Sequence, residues 1–87
     1  MKVYFTKSFK KSYKSRILKY SKLAVQFEKR YNFFIDDPTQ SILRDHALAG
    51  KMKGYRSFSV TGDIRVIYYI HRGVVYFIDI GTHNQVY

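Results

Sequence analysis

Two side chains that can do chemistry lie at the C-terminal end of the sequence. His83 and Tyr87 come after an apolar run that Gly81 is expected to end, and a polar segment in this place is expected at the surface. An imidazole can donate or accept a proton near neutral pH, and a phenol can stack on a base or hydrogen-bond a phosphate. The segment is therefore a candidate site, although surface histidines and terminal aromatic residues more often have no such role.

Arg65 is a charged residue in a largely apolar run. In the strand predicted from Ile64 to Ile70, alternation directs Arg65 to one face of the sheet. A sheet face that carries Arg65 beside His83 would form a site. The alternative is that Arg65 forms an ion pair with Asp63 or Asp79 across the sheet, and the sequence alone leaves both possibilities open.

The composition indicates an acidic partner. Sixteen Lys and Arg residues against six Asp and Glu give a formal net charge of +10 on 87 residues, which is more than solubility requires of a small domain. Glu28 is the only acidic residue before position 36. With 18% aromatic and 46% hydrophobic residues, the chain is too apolar for a disordered basic tail. We therefore expect a folded basic domain that binds an acidic polymer or an acidic protein.

Length and residue usage predict a single domain over residues 1–87, without repeats or linkers. The chain has no cysteine and its three histidines lack zinc-ligand spacing, so we expect no metal and no other cofactor. No apolar run reaches signal-peptide length or the roughly 20 residues of a membrane span. These observations predict a cytoplasmic protein without membrane contact.

Hydrophobic periodicity predicts an α+β fold. A short strand at Lys2–Phe5 precedes a basic amphipathic helix that Thr6 or Ser8 caps, and a second helix runs from about residue 21 to 34. From Tyr55 the apolar period becomes two, which is typical of strands. Three such strands are expected at 55–60, 64–70 and 74–80. The predicted order is β-α-α-β-β-β, with the N-terminal strand and a two-helix hairpin packed on a small antiparallel sheet.

Three segments of the sequence carry a recognisable pattern. They are Asp45-His46-x-Leu48-x-Gly50 with the following Lys53-Gly54-Tyr55-Arg56, the strand that begins at Asp63, and the ending Gly81-Thr82-His83 that runs on to Tyr87. In this order they resemble the RelE/ParE superfamily of bacterial type II toxins, and most closely its YafQ-like branch of messenger-RNA endonucleases. The resemblance spans the whole chain, including the two basic helices, and it implies a RelE-like fold.

The resemblance also implies a function. YafQ-like toxins are ribosome-dependent ribonucleases that cut messenger RNA in the decoding site and are held inactive by a cognate antitoxin. By their pattern, His46 and His83 match catalytic histidines. Asp63 matches a functional acid in the turn, and Tyr87 matches the terminal aromatic residue. Arg65 stands where other RelE-type members place an arginine that steadies the scissile phosphate.

Cleavage of RNA without a metal needs a base for the 2′-hydroxyl, stabilisation of the charged phosphorane and an acid for the leaving 5′-oxygen. On the resemblance, we expect His83 to be the general acid and His46 the general base. Arg65 would stabilise the transition state, and Tyr87 would stack or orient a phosphate. Asp63 would orient a histidine or serve as the base instead.

Three further cations, Lys51, Lys53 and Arg56, are expected to contact the RNA backbone. Such contacts are sensitive to salt and do not select sequence. The alternative for all three is a solvated rim.

The sequence departs from the YafQ-like pattern at two positions. Ser59 stands where the branch carries another histidine, and Ile64 stands where a bulky aromatic residue is common. Serine cannot transfer protons near neutral pH, so the assignment of the base is less well supported than that of the acid.

Two other functions are compatible with the sequence. ParE-type toxins share the fold and poison DNA gyrase without nuclease residues. A non-catalytic basic module would bind ribosomal or other RNA, or operator DNA together with its antitoxin. A nuclease requires His46, Arg65, His83 and Tyr87 to converge on one concave face, whereas a binding module does not. The expected partners are messenger RNA, the ribosome and an antitoxin whose acidic or amphipathic segment covers the basic helices or the site.

Overall fold

Eight strands and helices succeed one another along the chain. The computed structural model describes residues 1–87. Its elements are β1 (Lys2–Phe5), α1 (Lys7–Tyr13) continued by a π-helical turn (Lys14–Leu18), α2 (Ser21–Asp36), β2 (His46–Ala47), β3 (Arg56–Ser59), β4 (Ile64–His71), β5 (Val74–Thr82) and α3 (His83–Val86). Single 3₁₀ turns lie at Ser41–Leu43 and Gly50–Met52. The predicted α+β architecture is confirmed. None of the helices combines the length and the hydropathy that a membrane span requires.

The five strands form one sheet in the order β1-β5-β4-β3-β2. The predicted antiparallel meander is present as β3, β4 and β5. The sheet as a whole is mixed rather than antiparallel, because β1 pairs with β5 in parallel. The two helices between β1 and the meander return the chain across one face of the sheet, so that β1 and β5 run in the same direction. β2 was not predicted, since two residues are too few to show a period.

Side chains at the start of α1 cover the exposed edge of β5. Beyond Phe77, strand β5 has no further partner residue in β1. Thr6 caps α1 by accepting a hydrogen bond from the backbone N–H of Phe9 at 3.2 Å, and its hydroxyl donates to the carbonyl of Phe77 at 2.8 Å. The hydroxyl of Ser8 donates to the carbonyl of Ile78 at 2.7 Å. These bonds satisfy backbone groups that an open edge would leave free to pair with another strand.

An aromatic cluster fills the space between the helices and the sheet. Phe77 in β5 is fully buried and lies at its centre. The rings around Phe77 come from β1, both long helices, β3 and β4, with centroids 5.5–6.2 Å away: Phe5, Phe9, Tyr31, Phe34, Phe58 and Tyr68. Two of these rings, Tyr31 and Phe34, belong to α2. The single ring of Phe77 therefore packs against rings from α1, α2 and the three strands β1, β3 and β4.

Candidate active site

The face of the sheet opposite the helices carries most of the candidate site residues at one end. Arg65 in β4 lies opposite Ser59 in β3 and opposite Gly81 in β5. His46 in β2 lies opposite Ser57 in β3. Because residues opposite one another across a ladder share a face, the register brings His46 and Arg65 to one surface. In β3 and β4, the residues that alternate with Ser59 and Arg65 point into the core on the other side of the sheet.

A cavity of about 410 Å³ opens on this face. His46, Arg65, His83 and Tyr87 line it, together with three apolar residues of the segment between β2 and β3: Leu48, Ala49 and Met52. Four of the five candidate catalytic residues therefore converge on one concave surface, as a nuclease requires. Asp63 is not among the lining residues; it lies exposed in the turn between β3 and β4, and its side chain forms no hydrogen bond or ion pair.

The backbone fixes the proton arrangement of His46. Its Nδ1 atom lies 2.9 Å from the carbonyl oxygen of Arg44. A carbonyl only accepts hydrogen bonds, so Nδ1 must carry the proton of the neutral ring, and the lone pair is left on Nε2. His46 is exposed and lines the cavity. The neutral imidazole therefore has Nε2, rather than Nδ1, as its proton acceptor.

Arg65 keeps its positive charge available to a ligand. Its Nη1 atom donates to Oγ of Ser59 at 3.1 Å, and Ser59 itself is buried. Asp79 instead forms an ion pair with Arg16 at 3.1 Å. The interpretation of Arg65 as an ion-pair partner of Asp63 or Asp79 is therefore wrong. Ser59 stands at the position where the YafQ-like sequence pattern has a histidine. Its hydroxyl accepts the hydrogen bond from Arg65 and so holds the guanidinium at the cavity.

The last turn of the chain positions His83 and Tyr87. The short helix α3 begins at His83, and the backbone N–H of Tyr87 donates to the carbonyl of His83 at 3.0 Å. The two rings meet edge to face with centroids 4.5 Å apart. The Tyr87 hydroxyl donates to Oγ of Ser57 at 2.8 Å. A four-residue helix has no recognisable period, so the sequence predicted only an exposed polar segment here.

Gly81 allows α3 and the π-helical turn to approach β5. Contrary to expectation, β5 continues through Gly81 to Thr82. A Cβ atom at Gly81 would lie 2.6 Å from Oε1 of Gln85 and 2.9 Å from Nη1 of Arg16. The same Oε1 atom accepts a hydrogen bond from the backbone N–H of Thr82 at 2.8 Å. A side chain at position 81 would therefore displace the ends of the Gln85 and Arg16 side chains, which pack against β5 at this point.

The three predicted RNA-contacting cations lie in different places. Lys51 is exposed in the turn beside Met52, at the rim of the cavity. Lys53 is exposed farther along the same segment, in a shallow depression with Tyr55 and Tyr69. Arg56 does not line the cavity, and its guanidinium forms an ion pair with Asp45. The structure therefore places only Lys51 next to the candidate site.

Arg56 belongs to a buried polar cluster with Asp45 and Tyr68. Its Nε and Nη2 atoms lie 2.8 and 2.7 Å from Oδ1 of Asp45, whose side chain is only 7% exposed. The Tyr68 hydroxyl donates to the other carboxylate oxygen. Burial, and then the carboxylate of Asp45, raise the pKa of Tyr68 well above its usual range, and the hydrogen bond to Asp45 raises the pKa of Arg56. The cluster anchors the residue directly before His46.

We expect Asp45→Ala to lower the free energy of unfolding by about 2–3 kcal/mol, because it leaves the buried Tyr68 hydroxyl without an acceptor and Arg56 without its partner. The value is below that of a fully buried pair because the side chain of Arg56 is 40% exposed. Urea unfolding measures the change. Asp36→Ala, at an exposed acid without a salt bridge, is the control, and equal losses in the two variants would contradict the assignment.

Solved structures of bacterial toxins share this fold. YafQ from E. coli strain BL21(DE3) superposes with a TM-score of 0.83 at 24% sequence identity, covering 98% of this chain and 96% of that chain. The E. coli DinJ–YafQ complex gives a TM-score of 0.80 at 24% identity with the same coverage. The YoeB/ParE toxin from Agrobacterium tumefaciens gives 0.76 at 20% identity, covering 95% of this chain and 99% of that chain.

The sequence itself establishes the family. No curated protein matches the chain. The family model for YafQ, a bacterial toxin of type II toxin–antitoxin systems, matches residues 1–87. The resemblance found in the sequence is thereby confirmed over its full length, and the protein belongs to the YafQ family of type II toxin–antitoxin toxins.

Proposed function

We propose that this toxin is an endoribonuclease that cleaves messenger RNA on the translating ribosome. The observation that supports the proposal is the cavity lined jointly by His46, Arg65, His83 and Tyr87. It combines two groups that transfer protons near neutral pH, one permanent cation and one aromatic ring. These are the components that cleavage by an internal 2′-hydroxyl needs.

In the proposed reaction, Nε2 of His46 accepts the proton of the 2′-hydroxyl. The 2′-oxygen then bonds to the adjacent phosphorus, and the bond from phosphorus to the 5′-oxygen breaks. His83 donates a proton to the departing 5′-oxygen. The products are a 2′,3′-cyclic phosphate and a 5′-hydroxyl. Each proton-transfer group is expected to contribute about 10²- to 10⁴-fold to the rate.

Arg65 and Tyr87 act on the charge and the position of the substrate. The guanidinium of Arg65 stabilises the added negative charge of the phosphorane. The Tyr87 hydroxyl is already bound to Ser57, so the ring, rather than the hydroxyl, is the part offered to RNA. Tyr87 is 42% exposed and can stack on a base next to the scissile phosphate.

The base is assigned to His46 rather than to Asp63, because Asp63 does not line the cavity. Lys51 at the cavity rim and Lys53 farther along the same segment are exposed cations, and we assign them salt-sensitive contacts to the RNA backbone. Arg56 is left out of this set because Asp45 engages its guanidinium.

We further propose that a cognate antitoxin neutralises this toxin, as the solved DinJ–YafQ complex suggests for the family. A groove between α1 and α2 is lined by apolar residues, including Tyr13, Leu18 and Phe27, with Lys10 and Lys14 beside them. An amphipathic antitoxin segment with acidic residues would bury the apolar surface and pair with these lysines. Operator DNA would be bound through the resulting complex.

The test is to induce expression and to map RNA ends on two messages that differ only in the presence of a start codon. Wild type is compared with His83→Ala and with Arg72→Gln, a control in the exposed turn between β4 and β5. We expect cuts on the translated message alone, present in wild type and Arg72→Gln and absent in His83→Ala. Growth arrest without cuts would contradict the proposal and would favour gyrase poisoning or a binding-only role.

A further inference from the structure

A second cavity, of about 300 Å³, lies beside the first. It has one apolar lining residue, Ile42, and six others: Arg30, Ser41, Arg44, Ser59, Thr61 and Gly62. None of the lining residues is acidic. The cavity contributes no group to the proposed reaction; its only direct link to a catalytic side chain is the hydroxyl of Ser59, which accepts a hydrogen bond from Arg65.

The two arginines of this cavity have no carboxylate partner. Arg30 donates from Nη1 to the carbonyl oxygens of Ile42 at 3.1 Å and Ser59 at 3.0 Å, which fixes its guanidinium in place. The side chain of Arg44 is exposed and forms no hydrogen bond. Both salt bridges of the chain lie elsewhere, at Asp79 and Asp45. Two positive charges therefore meet in one cavity without internal compensation, which favours an anionic ligand.

The remaining polar groups are also suited to an anion. Oγ1 of Thr61 accepts hydrogen bonds from the backbone N–H groups of Asp63 at 3.2 Å and Ile64 at 3.0 Å. Since its acceptor capacity is used, the hydroxyl is left to donate its own proton. Gly62 adds no side chain to the wall. Hydroxyl and guanidinium donors around a cavity of this size fit the oxygens of a phosphate group.

A single residue separates this cavity from the candidate active site. Ser59 binds Arg65 through its hydroxyl and Arg30 through its carbonyl. Arg30 of the second cavity and Arg65 of the candidate active site therefore both bind this one residue of β3. The backbone carbonyl of Arg44 holds the ring of His46. The second cavity is therefore connected to the candidate active site through Ser59 and Arg44.

We propose that Arg30 and Arg44 bind a backbone phosphate that neighbours the scissile phosphate in the same single strand of RNA. The inference rests on the proposed function and extends it by adding a phosphate subsite. It explains how a scissile phosphate is kept in register with Arg65 while the base on one side is free to stack on Tyr87.

The test measures RNA binding rather than cleavage. The ligand is a short single-stranded RNA that carries a 2′-deoxy sugar at the cut position, and its dissociation constant is measured against salt concentration for wild type, Arg44→Gln and Arg72→Gln. Arg72 is the matched control because it is exposed and has the same backbone angle as Arg44, a φ of 49°. A change from Arg to Gln thus carries the same backbone cost at both sites. Equal melting temperatures verify that the variants are folded.

We expect Arg44→Gln to weaken binding about tenfold and to lower the salt slope by about 0.7, which corresponds to one phosphate contact on a single strand. Arg72→Gln should change neither. Methylphosphonate is then placed at each phosphate in turn. At one neighbour of the cut position, it should weaken wild-type binding without weakening Arg44→Gln any further.

Three results would overturn the subsite. They are equal losses in Arg44→Gln and Arg72→Gln, additive losses at every methylphosphonate position, or unchanged RNA binding by Arg44→Gln together with weaker binding of a polyglutamate peptide. The last result would assign the cavity to an acidic protein. Cleavage of an all-ribose message by wild type on programmed ribosomes is scored separately. If Arg44→Gln and the methylphosphonate weaken binding by the same contact but no cleavage occurs on the ribosome, the nuclease is rejected while the phosphate contact of Arg44 is supported.

Discussion

Arg65→Gln is expected to reduce the single-turnover rate of RNA cleavage about 10²- to 10³-fold, the usual cost of removing one preorganised donor to a charged transition state. Arg65 is the only permanent cation that lines the cavity, and no carboxylate offsets its charge. Glutamine retains hydrogen-bonding capacity but not the charge. Because the interaction grows as the phosphorane forms, the loss should appear in the maximal rate more than in the substrate concentration for half-maximal rate.

Two further variants separate the charge of Arg65 from its position. Arg65→Lys keeps the charge and loses the planar fork, so its rate should lie between those of wild type and Arg65→Gln. Ser59→Ala removes the 3.1 Å hydrogen bond to Nη1 and should reduce the rate less than Arg65→Gln does, with no further loss when the two changes are combined. A rate for Arg65→Gln within twofold of Arg72→Gln would contradict the role of Arg65.

Phe77→Ala is expected to lower the free energy of unfolding by about 3–5 kcal/mol. The side chain of Phe77 is fully buried, and its ring touches aromatic residues from five other elements. Truncation leaves a cavity that these rings cannot all move to fill. A domain of this size has a total stability of about 5–15 kcal/mol, so one substitution removes a large part of it. Urea unfolding at constant temperature measures the loss.

Tyr4→Ala is the matched control for this prediction. Tyr4 is also an aromatic residue of the sheet, but it is 55% exposed and has one ring contact, with Tyr76. Its truncation should cost about 1 kcal/mol. A loss in Phe77→Ala no larger than that in Tyr4→Ala would show that the aromatic cluster does not dominate the stability of the fold.

The predictable part of the fold is the part with a sustained period. α2 was expected over residues 21–34 and is observed at Ser21–Asp36, and the meander strands lie within a few residues of their predicted bounds. The parallel pairing of β1 with β5 was missed. Four residues specify an extended backbone, but they do not specify which distant strand completes the ladder. β2 and α3 were missed because they are shorter than one period.

For the candidate site, the sequence predicted the functional side chains but not the contacts that hold them. His46, Arg65, His83 and Tyr87 were identified by residue type and family resemblance, and they converge. The contacts that hold them were not identified, because Ser57, Ser59 and the carbonyl of Arg44 have no distinctive sequence signal. Arg56 resembled an RNA contact only because its partner Asp45, 11 positions earlier, becomes its neighbour on folding.

The chemical identity of the cut ends tests the central claim most directly. Purified toxin is incubated with programmed ribosomes, and the 3′ and 5′ ends at the cut are determined for wild type, His46→Gln and Arg72→Gln. We predict a 2′,3′-cyclic phosphate and a 5′-hydroxyl in wild type and Arg72→Gln, with the yield at least 10²-fold lower in His46→Gln. A 3′-hydroxyl with a 5′-phosphate, or full cleavage by His46→Gln, would contradict an active site built on the 2′-hydroxyl and these side chains.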